Sequence, residues 1–441
     1  MPEYRGRPRQ ITIVTVGSRG DVQPYVALAL GLQRVGYHVT IATHELFRAL
    51  VADHGLAFAP IAGDPRALLT DPRGDRWLDT GRARHLLPAA RAFLRAVPDF
   101  VERLLADVWR VAQESDLLIY SAVAAPARSV AERLGIPAVA ALLQPLHPTR
   151  AFPAIGLPTL PRLGARFNAL THRVAGRVAW WSVRRPVNAW RRTTLGLPPY
   201  PASSAVSLMG PPTTPTLYGF SPHVVPRPGD WPPATHVTGY WIVPLDPSWR
   251  PPVALVDFLA AGPPPISIGF GSMTPAHCER LTAIALEALG RAGQRGVLLR
   301  GWGGLGADRA LPDTVFGIDD VPHEWLFPRM AAVVHHGGCG TTAAALRAGV
   351  PSIVIPLGFD QPFWARRVAA LGVGPPPIHR RNLSAENLAA AIARAVRDPV
   401  MRSTAAALGA VLRAERGVDI AVDVITRVAA PVGGTAPAHP A

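Results

Sequence analysis

"AAVVHHGGCGTTAAALRAGVPSIVIPLGFDQPFWARRV", Ala331 to Val368, is the stretch that decides the fold. An apolar run stops at His335-His336, three glycines follow within four residues, and two threonines open an alanine-rich helical pattern. A second apolar run, "SIVIPLG", comes next. Strand, glycine loop, helix and strand in that order spell a parallel βαβ unit. Glycines let a backbone approach a ligand closely, and the helix start offers free N–H groups and a positive dipole end. An anionic diphosphate suits that combination, and His336 and Thr341 can hydrogen-bond the same oxygens. Asp360 and Gln361, just past the second run, offer acceptors and an amide to the hydroxyls of a sugar. Taken alone, the loop also reads as a glycine turn with a threonine N-cap and a capping aspartate. The joint spacing of His-Gly-Gly and Asp-Gln favours the ligand.

The same alternation runs outward through the chain. "ITIVTV", "HVTIAT", "LAFAPI", "DLLIY" and "IPAVAAL" fill the first third, and "PISIGFGS" and "GVLLRGWGG" open the second half. Near residues 210–265 the texture turns dense in Pro and Trp, which reads as a linker because Pro interrupts both ladders and helices. The predicted architecture is therefore α/β, with two Rossmann-like βαβ domains facing across a cleft at the carboxyl ends of their strands. The expected boundaries are 1–220, a Pro-rich linker at 221–252, a second domain at 253–415, a helix at 416–430 crossing back to the first domain, and a tail at 431–441.

Composition narrows the functional classes. With 441 residues, 49% hydrophobic and 17% charged, the chain is globular and long enough for about two domains. No apolar run reaches the roughly 18 residues that span a bilayer, and "MPEYRGRPRQ" lacks a signal-peptide core, so a cytoplasmic protein is expected. Cys278 and Cys339 stand apart without metal-ligand spacing, which predicts reduced thiols and no metal. The net charge of +15 is carried by arginine alone. Its arginines are mostly scattered, so the composition gives no footprint for nucleic acid.

"VTVGSRGDVQPYVALALGL", Val14 to Leu32, repeats the strand-loop-helix theme with a charged pair, Arg19 and Asp21, in the loop. Pro24 reads as the opening of the helix. Asp21 admits two readings, a helix cap or a proton acceptor. A nicotinamide-binding oxidoreductase would need Gly-x-Gly-x-x-Gly here and an acid ending the second strand. "GSRG" and "TIATHE" stand in those places, so that fingerprint is absent.

"HHGG-G-TT", "AGVP", "DQPFWARRV" and the upstream "VPHEWLFPRMAAVVHH" together resemble the donor-site signature of the UDP-glycosyltransferase superfamily. "YGFSPHVVPRPGDWPPATHVTGYW", Tyr218 to Trp241, and "GFGSM", Gly269 to Met273, resemble its bacterial branch similar to sterol glucosyltransferases and glycopeptide-antibiotic glycosyltransferases. The resemblance spans Ile11 to about Val428 and implies a GT-B fold, with the acceptor in the first domain and the nucleotide sugar in the second. It implies that His336, Thr341, Gly338, Gly340 and Ser272 hold the diphosphate, with Ser18 and Arg19 facing it from the other half. Trp302 and Val321 would border the base, and Asp360 with Gln361 would hold the hexose. His335 either joins the phosphate site or packs behind the loop.

The resemblance also implies that Asp21 is the general base. Transfer to a hydroxyl needs one proton acceptor within about 3 Å, and the diphosphate leaves onto N–H dipoles rather than onto an acid. A carboxylate at a helix start beside Arg19 is expected to titrate low, which would weaken it as a base. "LLQPLHPTRAFP", Leu142 to Pro153, departs from the branch pattern, and its His147 either lines the acceptor wall, faces solvent or assists Asp21.

The expected activity is an inverting, metal-independent transfer of a hexose, glucose or a deoxysugar, from a UDP- or dTDP-sugar to a hydrophobic acceptor, without a further cofactor. The alternative is a non-catalytic partner protein that keeps the fold. Around Arg162 to Arg192, Trp180, Trp181 and Trp190 lie among many arginines, a pattern of either a peripheral membrane contact with its indoles at the interface or a helix pair packed on the acceptor domain.

Overall fold

The computed structural model describes residues 9–64, 83–157, 163–201, 210–271, 278–301, 304–307 and 309–430, with 83–94 described by their backbone alone. Two parallel sheets organise them. The first has seven strands: β1 (Gln10–Val14), β2 (His38–His44), β3 (Ala57–Ile61), β4 (Leu117–Tyr120), β5 (Ala138–Leu142), β6 (Thr216–Tyr218) and β7 (Thr235–Val237). Their order across the sheet is β3-β2-β1-β4-β5-β6-β7. The second has five: β8 (Ile266–Gly269), β9 (Gly296–Leu299), β10 (Val315–Ile318), β11 (Ala332–His335) and β12 (Ser352–Val354), in the order β10-β9-β8-β11-β12. The residues of β4, β8 and β11 are buried throughout, as expected of parallel strands covered on both faces.

In each sheet the strand order reverses once, between β1 and β4 and between β8 and β11. A crevice opens at such a switch point, beyond the carboxyl ends of the strands. The loops after β1 and β11 both lie there, so topology alone brings Gly17–Asp21 and Gly337–Thr341 to the mouths of the two sheets.

The halves share a continuous apolar core. Phe152 packs on Phe363 with ring centroids 5.3 Å apart, and Phe220 packs on Trp364 at 5.9 Å. The final helix, Gly417–Ala429, lies on the first helix, Arg19–Arg34; Ala421, Val422 and Ile425 join Tyr25, Leu28 and Leu32 in one cluster. An ion pair between Arg34 and Asp419 at 3.3 Å borders that contact.

Two sequence expectations are corrected. The segment 221–252 is not a linker throughout: Thr235–Val237 is the edge strand β7, and Trp241 and Val243 are buried in the first domain. Its prolines flank the three paired residues, so the ladder survives at an edge. The first helix starts at Arg19, five residues before Pro24, which sits in its second turn. Lacking an N–H, Pro24 leaves the Gly20 carbonyl without its helical donor.

Candidate active site

Gly17 takes φ +141°, and a Cβ there would stand 2.4 Å from the Asp21 Oδ2. The tight turn therefore exists to fold the chain over the Asp21 side chain. Ser18 donates to Oδ2 twice, from its backbone N–H at 2.8 Å and its hydroxyl at 2.9 Å. Both bonds land on one oxygen, and Asp21 lines a cavity of about 60 Å³ together with Val16, Tyr25, Ser121, Leu143 and Gln144. The capping role of the carboxylate is thus carried by Oδ2.

Burial pushes the Asp21 carboxyl up to about 6; the Ser18 N–H opposes this, and the charge of Asp360 across the cleft adds to it. The sequence expectation of a low value is overturned for two reasons. Burial outweighs the helix start, and Arg19 turns away from Asp21 to pair with Asp320 of the other half at 2.9 Å. Arg19 consequently bridges the two domains at an exposed edge.

Opposite stands the loop after β11. The helix Cys339–Ala348 begins at Gly338, with no side-chain cap and no acid in its first turn. Its start meets the start of the first helix: a Cβ on Gly340 would lie 3.8 Å from the Gly20 Cα. Two positive helix ends therefore converge on one space. The His336 ring is wedged between backbones, since a Cβ on Gly338 would reach its Nε2 at 2.4 Å and one on Gly271 its Cε1 at 2.8 Å. Burial holds His336 neutral, down at about 4, and its Nδ1 has no hydrogen-bond partner among the described residues. The ring therefore offers the loop a dipole and not a cation. His335 is fully buried behind the loop, where its Nδ1 accepts from the Gly337 N–H at 3.1 Å.

Asp360 is the N-cap of the helix Gln361–Ala370. Its Oδ2 accepts from the Trp364 indole at 3.0 Å, and burial raises its carboxyl while Trp364 and Gln144 lower it. Gln361 turns its Oε1 to the backbone N–H groups of Leu357 at 2.7 Å and Gly358 at 3.2 Å, which leaves its amide hydrogens to donate. Phe359, the one non-glycine residue with positive φ among the described residues, sits at +55° directly before this pair.

The placement of the remaining candidates is uneven. Ser18 serves Asp21, and Thr341 lies half-buried in the first turn of its helix. The Val321 side chain packs into the core with Leu326 and Phe327. His147 is buried; Tyr218 donates its hydroxyl to the His147 Nδ1 at 2.8 Å, and burial holds the ring neutral, at about 4. It does not face solvent. Ser272 and Trp302 lie outside the described residues. Sequence reading missed Gln144, which reaches Asp360 from the far side of the cleft, and Cys339, whose thiol burial raises first and the charges of Asp360 and Asp21 raise further. Among the described residues no group of three His, Cys, Asp or Glu side chains could hold a metal ion.

Two Rossmann-like halves, one bringing a buried carboxylate and the other an uncapped helix start, define a GT-B glycosyltransferase architecture. The match with known proteins agrees. Residues 11–153 match the glycosyltransferase family 28 N-terminal domain, and residues 304–419 the erythromycin biosynthesis protein CIII-like C-terminal domain. An O-mycaminosyltylonolide 6-deoxyallosyltransferase of Streptomyces fradiae is 39% identical over 425 residues, covering 94% of this chain and 96% of the relative. A sterol 3-beta-glucosyltransferase of Cryptococcus neoformans is 38% identical over 449 residues, 96% of this chain, which spans 27% of that relative's length. Among solved structures, the glycosyltransferase of kitacinnamycin superposes with a TM-score of 0.68 at 22% identity, covering 96% of this chain and all of that one. The glycosyltransferase VinC, solved in complex with dTDP, superposes with a TM-score of 0.64 at 22% identity, covering 95% and 99%. The chain belongs to the UDP-glycosyltransferase superfamily of GT-B glycosyltransferases.

Proposed function

We propose that the chain moves a hexose, with inversion and without a metal, from a UDP- or dTDP-sugar to a hydroxyl of a hydrophobic acceptor. The observation that carries this reading is the Asp21 carboxylate, buried at a cavity with both Ser18 bonds on its Oδ2 and a pKa near 6. Such a group is mostly ionised at pH 7 yet more basic than an ordinary aspartate. As the acceptor oxygen attacks the anomeric carbon, its proton passes to Asp21 Oδ1. The bond from that carbon to the β-phosphate oxygen breaks on the opposite face. The departing diphosphate is met by N–H groups at the Gly338–Thr341 helix start, with His336 and Thr341 beside them. Asp360 and the free amide of Gln361 hold the hexose hydroxyls.

Donor and acceptor class are supported by the relatives' names, which include sterol and macrolide-type glycosyltransferases, and by the dTDP bound to VinC. The test is product detection by mass spectrometry, with UDP- and dTDP-hexoses against a panel of sterols and polyketide aglycones. A new glycoside is expected from wild type and its near-complete loss from Asp21→Asn. Donor binding without product from any acceptor would favour the non-catalytic reading.

A further inference from the structure

The helix Gly164–Thr193 carries two apolar faces, and only one of them is used by the fold. Trp180, Pro186 and Val187 are buried in the first domain. On another side Leu170, Val174, Val178 and Trp181 are exposed by 52%, 50%, 62% and 63%. Their spacing of four, four and three residues puts them on a single stripe, which Leu163 extends at 53%. Arg166, Arg173, Arg177 and Arg184 run along its flank at spacings of seven, four and seven. The helix contains no acid, and of its seven arginines only Arg191 pairs with a carboxylate among the described residues, Glu132 at 2.8 Å. Arg177, Val178, Trp180, Trp181 and Arg184 line a surface groove of about 370 Å³.

We propose that this face docks on the surface of an anionic phospholipid bilayer. An apolar stripe bordered by unpaired arginines and bearing a surface indole matches the boundary between acyl chains and acidic headgroups. A second copy of the chain would bring the two arginine rows together, and like charges oppose that contact. The contact is peripheral, because no described helix is long and apolar enough to cross a membrane. Of the three tryptophans in this segment, Trp181 alone is exposed, so one indole makes the contact where the sequence suggested three.

The helix also lies beside the cleft. His172 Nε2 bonds the Phe152 carbonyl at 3.1 Å, and the Thr171 hydroxyl accepts from Ala154 N at 2.9 Å. That loop abuts the other half, where Arg366 donates to the Leu157 carbonyl at 3.3 Å. Docking therefore brings the mouth of the cleft near the bilayer, although vesicle binding itself is read without turnover and does not depend on the chemistry in the cleft.

The test is co-sedimentation of the full chain with phosphatidylcholine vesicles, with and without phosphatidylglycerol. Binding is expected only with the acidic lipid, and it should weaken as salt is added. The pair Arg177→Gln with Arg184→Gln should weaken it about 25-fold, and the pair Val178→Ser with Trp181→Ser should weaken it comparably. Both pairs should keep the wild-type thermal shift with UDP or dTDP, which checks that they fold. No binding of wild type to acidic vesicles, or undiminished binding by either folded pair, overturns the proposal. So does a wild-type dimer that the variants no longer form.

Discussion

The two helix starts that meet in the cleft are built alike and finished differently. After β1 a glycine turn leads into a helix whose third position, Asp21, already satisfies the Ser18 N–H and answers the positive end with a carboxylate. After β11 a glycine turn leads into a helix with no side-chain cap and no acid in its first turn. The same backbone device therefore serves opposite needs. One start already holds a negative group, and the other carries none. The pKa values follow suit: burial raises the carboxyl of Asp21 and lowers the imidazole of His336, so each side moves toward its neutral form and is poised for a partner.

Substitutions can break this contrast from either side. Removing the proton acceptor should have the largest effect. Asp21→Asn keeps an oxygen for the Ser18 N–H but cannot take the proton, so kcat should fall by about 10²- to 10⁴-fold while the donor dissociation constant, read by calorimetry, stays put. Filling the opposite start comes next. Gly338→Ala drives a methyl into the His336 ring, and donor affinity should drop by about tenfold or more, with kcat affected less. The smallest effect belongs to the strap between the two halves. Arg19→Ala removes an exposed ion pair with Asp320, and kcat/KM should change by about fivefold at most, with the difference fading as salt is raised.

Much of this contrast is legible in the sequence, because it rests on local signals. Buried β-branched runs, glycines at the strand ends and a helical pattern behind them fix both βαβ units, and Asp21, His336 and Asp360 fall at their loops. What the sequence hides is tertiary. The raised carboxyl of Asp21 depends on burial and on the charge of Asp360, far away in the chain, and the direction of Arg19 depends on where Asp320 stands. Gln144 escapes notice because nothing in "LLQPLHP" signals that its amide meets a carboxylate from the other domain. β7 escapes because proline density describes its flanks and not its three paired residues. Trp180 and Trp181 are neighbours of identical type, and only packing sends one inward and the other to the surface.

The most direct test of Asp21 as the base is the pH dependence of kcat/KM, which reports on the free enzyme. Below the Asp21 pKa the carboxyl carries a proton and cannot accept another, so activity should rise about tenfold per pH unit and level off above a midpoint near 6. In Asp21→Asn the residual activity should show no such limb. A wild-type profile that stays flat down to about pH 4.5, where an ordinary aspartate is still largely ionised, or a limb near 6 that survives in Asp21→Asn, would contradict the assignment.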